Sequence, residues 1–268
     1  MNITPIIILT KDNPEYLYVT LKSLTATSTK RNPVIILDNC STLDITKKFL
    51  YSEEEITSSI SDWTKRENMS SQEQADKEYA DDFLNIPKIN QIIGIKKKFS
   101  VVKTPKYLNQ NQLVIYAINL AFTLFPNSNN CCILDDNIIF NKNWLDEALR
   151  IFEEEKKISN IGIISTFSEN VRESEYFEYQ KNNTLKGKMM LITINFYNEL
   201  KKLLTYNIPY NEPYYVYIQS LAYKLGFVTF TSGISYIQSL EPRHLSTKDK
   251  LFKFDTSFKK PLAWNEKF

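Results

Sequence analysis

The feature that most constrains this chain is a set of short, wholly apolar runs, each ending in a polar residue: "PIIILT", "NPVIILDN", "CCILDD" and "NIGIIS". A short run with no polar alternation is buried on both faces, as strands are inside a parallel sheet. Segments of helical periodicity lie between these runs. In "KDNPEYLYVTLKSLTAT", Leu17, Leu21 and Leu24 fall at helical spacing. Pro14 suits the first turn and Asn13 is a candidate cap. "LDITKKFLYS", "LNQNQLVIYAINLAFTLFP", "NWLDEALRIFEEEKK" and "PYYVYIQSLAYKLGF" read as further helices, the last closed by Gly226. "KFSVVKTP" and "VTFTSGISYIQSL" read as strands, and "GKMMLITINFYNELKKLL" as a strand running into a helix. Strand–helix alternation predicts an α/β fold, a Rossmann-like, mostly parallel sheet flanked by helices.

With 268 residues the chain suits one large domain, long enough to bury a substantial core. Its net charge of +2 gives no basis for duplex nucleic-acid binding. Five glycines and no GxGxxG or GxxxxGK[ST] argue against a Gly-rich phosphate cradle. Cys40, Cys131 and Cys132 show neither a paired framework nor CxxC spacing, so a reducing, cytoplasmic compartment is expected. There is no signal-peptide pattern at the N-terminus and no apolar run of membrane-spanning length. Residues 52–90 are charged and poor in apolar periodicity. They read as a solvated helical excursion or loop, or as an insertion that caps a site or meets a partner.

Ligands of open α/β sheets bind at the carboxyl ends of strands. Asp38, Asp135 and Asp136 stand at such ends. One carboxylate there can accept hydrogen bonds from a base or ribose, and a pair can hold a hard divalent cation. That cation would neutralise a departing diphosphate. A single Asp at a strand end is also a common turn or cap residue.

Five segments in order resemble the family-2-like glycosyltransferases: "PIIILTKDNPEYLYVTLKSL", "VIILDNCSTLDIT", "NQNQLVIYAINLAF", "CCILDDNIIFNKNWLDEAL" and "GKMMLITINFYNEL". The resemblance implies a glycosyltransferase A-type fold, a nucleoside-diphosphate-sugar donor and usually Mn2+ or Mg2+. It places Thr10 and Lys11 in the nucleotide pocket, Asp38 on the base, and Asp135 near the ribose and donor sugar. Cys40 stands where the family pattern has Gly. Asn137 stands where the pattern has the main metal-binding Asp, so either Asp136 binds the metal instead or metal dependence is weak. "RHLST" resembles the family's C-terminal metal-binding loop, which makes His244, the chain's single histidine, a third candidate ligand. The family's acidic catalytic pair falls on Tyr214 and Tyr215, and the nearest carboxylate is Glu212, the candidate base.

Tyr206, Tyr210, Tyr214, Tyr215 and Tyr217 form either an acceptor platform or core packing. The implied organisation is one domain over 1–268. Residues 1–140 form a nucleotide-sugar half carrying the insertion, and residues 141–268 form an acceptor half with a polar tail. A glycan, a lipid-linked sugar, a protein or a modified nucleic-acid base could each be the acceptor. Two other functions fit the pattern less fully. A nucleotidyltransferase needs a Gly-rich basic loop after the first strand, and "TKDNPEY" is not one. A catalytically degenerate sugar- or partner-binding module accounts for Asn137 and Cys40.

Overall fold

Side chains along each central strand alternate between two apolar layers. Ile6 and Ile8 join one buried cluster, and Ile7 and Leu9 join the other. The computed structural model describes residues 3–27, 32–51, 99–167, 179–181, 185–203, 212–233 and 235–240. The elements are β1 Ile6–Thr10, α1 Pro14–Ala26, β2 Val34–Asp38, α2 Asp44–Tyr51, β3 Ser100–Lys103, α3 Gln110–Leu124, β4 Asn130–Asp135, β5 Ile138–Phe140, α4 Trp144–Glu155, β6 Ile161–Ser165, β7 Tyr179–Lys181, β8 Met189–Thr193, α5 Ile194–Leu203, α6 Tyr214–Lys224, β9 Val228–Ser232 and β10 Ile237–Ser239.

The main sheet has eight strands in the order β3-β2-β1-β4-β8-β6-β9-β7. β3, β2, β1 and β4 pair in parallel, as do β6 and β9. β8 runs antiparallel between β4 and β6, and β7 is an antiparallel edge on β9. The sheet is therefore mostly parallel, as the apolar runs predict. Buried residues of α1, α2 and α4 cover one face, and those of α3, α5 and α6 cover the other. Cys131 joins one cluster and Cys132 the other, so the adjacent thiols face opposite layers and stay free. No helix among the described residues is long and apolar enough to cross a membrane.

Three details differ from the sequence reading. The apolar run after the Asp-Asp-Asn segment is a strand, β5, paired antiparallel with β10 in a separate ribbon. "VTFTSGISYIQSL" therefore divides between the main sheet and this ribbon, because β10 satisfies the backbone that β5 leaves unpaired. The short polar edge strand β7 carries no apolar signature. Asn13 makes no cap bond to α1, and its amide is drawn instead to a buried carboxylate of the β4 turn. Residues 52–90, Tyr206, Tyr210 and His244 lie outside the described residues.

The β4–β5 turn is pinned from beneath by α1. Fully buried Thr20 places its Oγ1 2.7 Å from the Asp136 carbonyl and accepts the Ile138 N–H at 3.0 Å. Ser23 Oγ accepts the Phe140 N–H at 2.8 Å. A buried backbone group stripped of its partner costs about 1–3 kcal/mol. Thr20→Val keeps the shape and deletes the hydroxyl, so it should lower stability by about that amount in urea unfolding.

Candidate active-site cleft

β1 feeds β2 on one side of the sheet, while β4 lies on its other side, so the connections reverse between β1 and β4. A crevice opens at the carboxyl ends of strands at such a switch point. Here it is lined by Thr10 and Lys11 at the end of β1, by Asp135, Asp136 and Asn137 at the end of β4, by Tyr107, Leu108 and Gln110 before and on α3, and by Tyr214 at the start of α6. Counting its open mouth, the cleft measures about 740 Å3. Small-molecule sites span roughly 300–1,000 Å3.

Thr10, Lys11, Asp135, Asp136 and Asn137 are thus brought together as the sequence implies. Thr10 donates its hydroxyl to Asp136 Oδ2 at 2.6 Å, and Asn13 Nδ2 reaches Asp136 Oδ1 at 3.1 Å. Lys11 is exposed, with Nζ 4.1 Å from the centre of the Tyr107 ring, a cation–π contact at the mouth.

Asp38 does not line the cleft. It is fully buried, and its carboxylate accepts the Ser41 N–H at 2.9 Å, the Ser41 hydroxyl at 2.5 Å and the Tyr51 hydroxyl at 2.6 Å. Those oxygens tie the end of β2 to α2, so the Asp38 that the resemblance puts on the base is engaged within the protein here. Its neighbour Asn39 lines the cleft instead. The Asn39 amide donates to the Leu108 carbonyl at 2.8 Å and accepts the Leu108 N–H at 2.9 Å, which fixes the Tyr107–Leu108 wall. Cys40, at the family's glycine position, has φ 57°, the left-handed backbone that glycine adopts freely.

Glu212 is exposed and outside the cleft lining. Its carbonyl accepts from Asn111 Nδ2 at 3.2 Å, beside Gln110 of the lining, so it stands at the margin. Tyr214, two residues on, enters the cleft and donates its hydroxyl to Asp135 Oδ1 at 2.8 Å. Tyr214 is also 8% exposed within a buried cluster, so it serves both the core and the site. Tyr215 and Tyr217 are half-buried packing residues.

One residue of the site went unread in the sequence. Lys188 Nζ lies 3.2 Å from Asn137 Oδ1 and 3.4 Å from Asp135 Oδ2, with its side chain 9% exposed. Its only sequence signal is a Gly-Lys pair ahead of an apolar strand. Gly187 before it has φ 74°, and a Cβ there would meet Tyr215 Cδ1 at 2.8 Å and the Tyr214 hydroxyl at 3.0 Å. Only glycine lets the chain pass this close to the two tyrosines.

As they stand, the described donors are a poor fit for the divalent cation that the resemblance implies, because an ammonium already faces two of them, and His244 lies outside the described residues. Hard cations take oxygen ligands, and Mg2+ is commonly held by one or two carboxylates together with substrate phosphates and waters. Asp136 is engaged by Thr10 and Asn13, Asn137 is neutral, and Asp135 and Asn137 already face an ammonium. Among the described residues no group of three or more His, Cys, Asp or Glu side chains could hold a metal.

The fold itself is shared with solved structures. Residues 1–349 of S. aureus TarS superpose with TM-score 0.51 at 15% identity, over 88% of this chain and 60% of that one. The same segment in complex with UDP-GlcNAc gives TM-score 0.51 at 14% identity, over 91% and 59%. The chain therefore spans about three fifths of those structures. No family model and no curated protein matches the sequence. The mostly parallel sheet with helices on both faces is the glycosyltransferase A-type architecture.

The Asp136 carboxyl is pushed up to about 7, first by burial and further by Asp135; the bonds from Thr10 and Asn13 and the Lys188 charge pull it down. The folded state thus holds a proton that the unfolded chain releases near its ordinary value of 3.8. The stabilisation is complete below that value and is lost as pH rises through about 7. Relative to Asp136→Asn, which cannot titrate, the wild type should lose roughly 2–3 kcal/mol between about pH 5 and 8 in urea unfolding.

Proposed function

We propose that the chain transfers a sugar from a nucleoside-diphosphate sugar to an acceptor hydroxyl. The observation that carries this is the meeting of Thr10 and Lys11 with Asp135 and Asn137 in one switch-point cleft. The shared fold with TarS, solved with UDP-GlcNAc, supports it and makes UDP-GlcNAc the donor to try first.

In this reading the 1–140 half takes the nucleotide. The exposed Lys11 ammonium meets phosphate charge at the mouth, and Tyr107 offers a ring face. Both carboxylates line the cleft, but Asp136 is 8% exposed and held by Thr10 and Asn13, so the more exposed Asp135 accepts from hydroxyls of the ribose or donor sugar. Tyr214 holds Asp135 in orientation. The acceptor arrives from solvent along the margin formed by the 141–268 half. There Glu212, exposed at that margin, is the candidate base that takes its proton as the new glycosidic bond forms and the diphosphate leaves.

The tyrosines at positions 214 and 215, in place of the family's acidic pair, favour a second reading: a module that binds nucleotide sugars without turning them over.

Incubation with UDP-GlcNAc and other nucleotide sugars, with release of nucleoside diphosphate as the readout, tests the proposal. Turnover is expected with at least one donor. Asp135→Asn should lower kcat/KM for the donor by about 100-fold, the loss of a charged hydrogen-bond partner. Glu212→Gln should reduce transfer while leaving nucleotide affinity within about twofold. Binding without turnover selects the second reading, and diphosphate release from a nucleoside triphosphate selects a nucleotidyltransferase.

A further inference from the structure

Lys188 sits in a backbone geometry that lysine does not choose. Its φ is 60°, directly after Gly187 at 74°. The Met189 N–H donates to the Gly187 carbonyl at 2.6 Å, closing a three-residue turn with Lys188 at its centre. With a positive central φ this is the rare, strained form of the γ-turn. Strain of this kind persists where surrounding contacts over-determine it, and it concentrates at working sites.

The contacts here are specific. The Lys188 N–H donates to the Tyr214 hydroxyl at 3.1 Å, and the Lys188 carbonyl accepts the Asp135 N–H at 3.0 Å. Both ends of the residue are tied to the cleft wall, and its ammonium is aimed between Asp135 and Asn137.

We infer that Lys188 takes the place of a divalent cation, its ammonium serving as the fixed positive charge that makes nucleoside-diphosphate binding independent of metal. The inference rests on the donor reading above. Charge supports it: a neutral amide stands at position 137, where the resembled pattern has a carboxylate, and the Lys188 ammonium faces both that amide and Asp135. The asparagine at 137 and the lysine at 188 thus act together: the amide removes one anion from the turn and the ammonium faces what remains. A divalent ion on the Asp135 and Asn137 oxygens would lie against the ammonium those oxygens already face, where like charges at short range repel strongly. Lys188 does not itself line the cleft, whereas Asp135, Asn137 and Tyr214 do. It is a positioning residue. It neutralises the Asp135 charge that would repel a diphosphate, and it holds the wall in register.

The test measures binding of UDP, GDP, CDP and ADP by calorimetry, in EDTA and in Mn2+. The wild type should bind at least one of them with a Kd that agrees within about twofold in the two buffers. Lys188→Met should bind it about 10- to 100-fold more weakly in EDTA. Mn2+ should restore that variant, because the Asp135 and Asn137 oxygens are released to ligate it. Lys188→Arg should keep metal-free binding. Wild-type binding only in Mn2+ overturns the inference and leaves the donor reading standing. No binding of any nucleotide in either buffer overturns both. Undiminished binding by Lys188→Met, or a loss that Mn2+ does not restore, also overturns the inference, the latter because the loss is then structural. If Lys188→Met does not fold by thermal melting, the wild-type comparison decides alone.

Discussion

A carboxylate buried at the end of a strand must find donors or a countercharge, and most of this site follows from how the β4 turn meets that demand. Desolvation of an unpaired charge costs far more than one hydrogen bond returns. Asp136 takes a hydroxyl from β1 and an amide from the start of α1, and burial still pushes its carboxyl up to about 7. Asp135 takes a phenol from α6 and an ammonium from the β8 turn. Four chain segments are thereby drawn to one point. The cleft is the space left between them.

Backbone strain gathers next to the central strands. Among the described residues, positive φ outside glycine occurs at Asp12, Cys40 and Lys188. Each lies just beyond or before the end of a central strand. Asp12 accepts the Thr42 and Leu43 N–H groups at 2.7 and 2.8 Å, which steadies the approach to α2. Ser41 links the Asp12 N–H to the Asp38 carboxylate. The carboxylates of β1, β2 and β4 thus divide their labour: Asp12 and Asp38 hold loops, and Asp135 faces the cleft. Two apolar layers carry the cost of this polar edge, because the strands beneath are buried on both faces.

The local level of this protein is legible in its residues. Short β-branched runs, helical leucine spacing, Pro14 at a helix start and Gly226 at a helix end each follow from backbone sterics or burial within a few residues. Together they specify a parallel α/β sheet and place Thr10, Lys11, Asp135, Asp136 and Asn137 at strand ends. Those five do converge. Partner choice is not legible in the same way. Asp38 and Asp135 look alike in sequence, each closing an apolar run, yet one is consumed by Ser41 and Tyr51 and the other opens onto the cleft. Lys188 stands 53 positions beyond Asp135 in the chain, and no local pattern connects them. Sequence alone determines which elements form and which face of each is apolar, because those forces act over a turn or a strand. Tertiary structure decides which charges meet, because a hydrogen bond or an ion pair depends on distances of about 3 Å that only the packed chain sets.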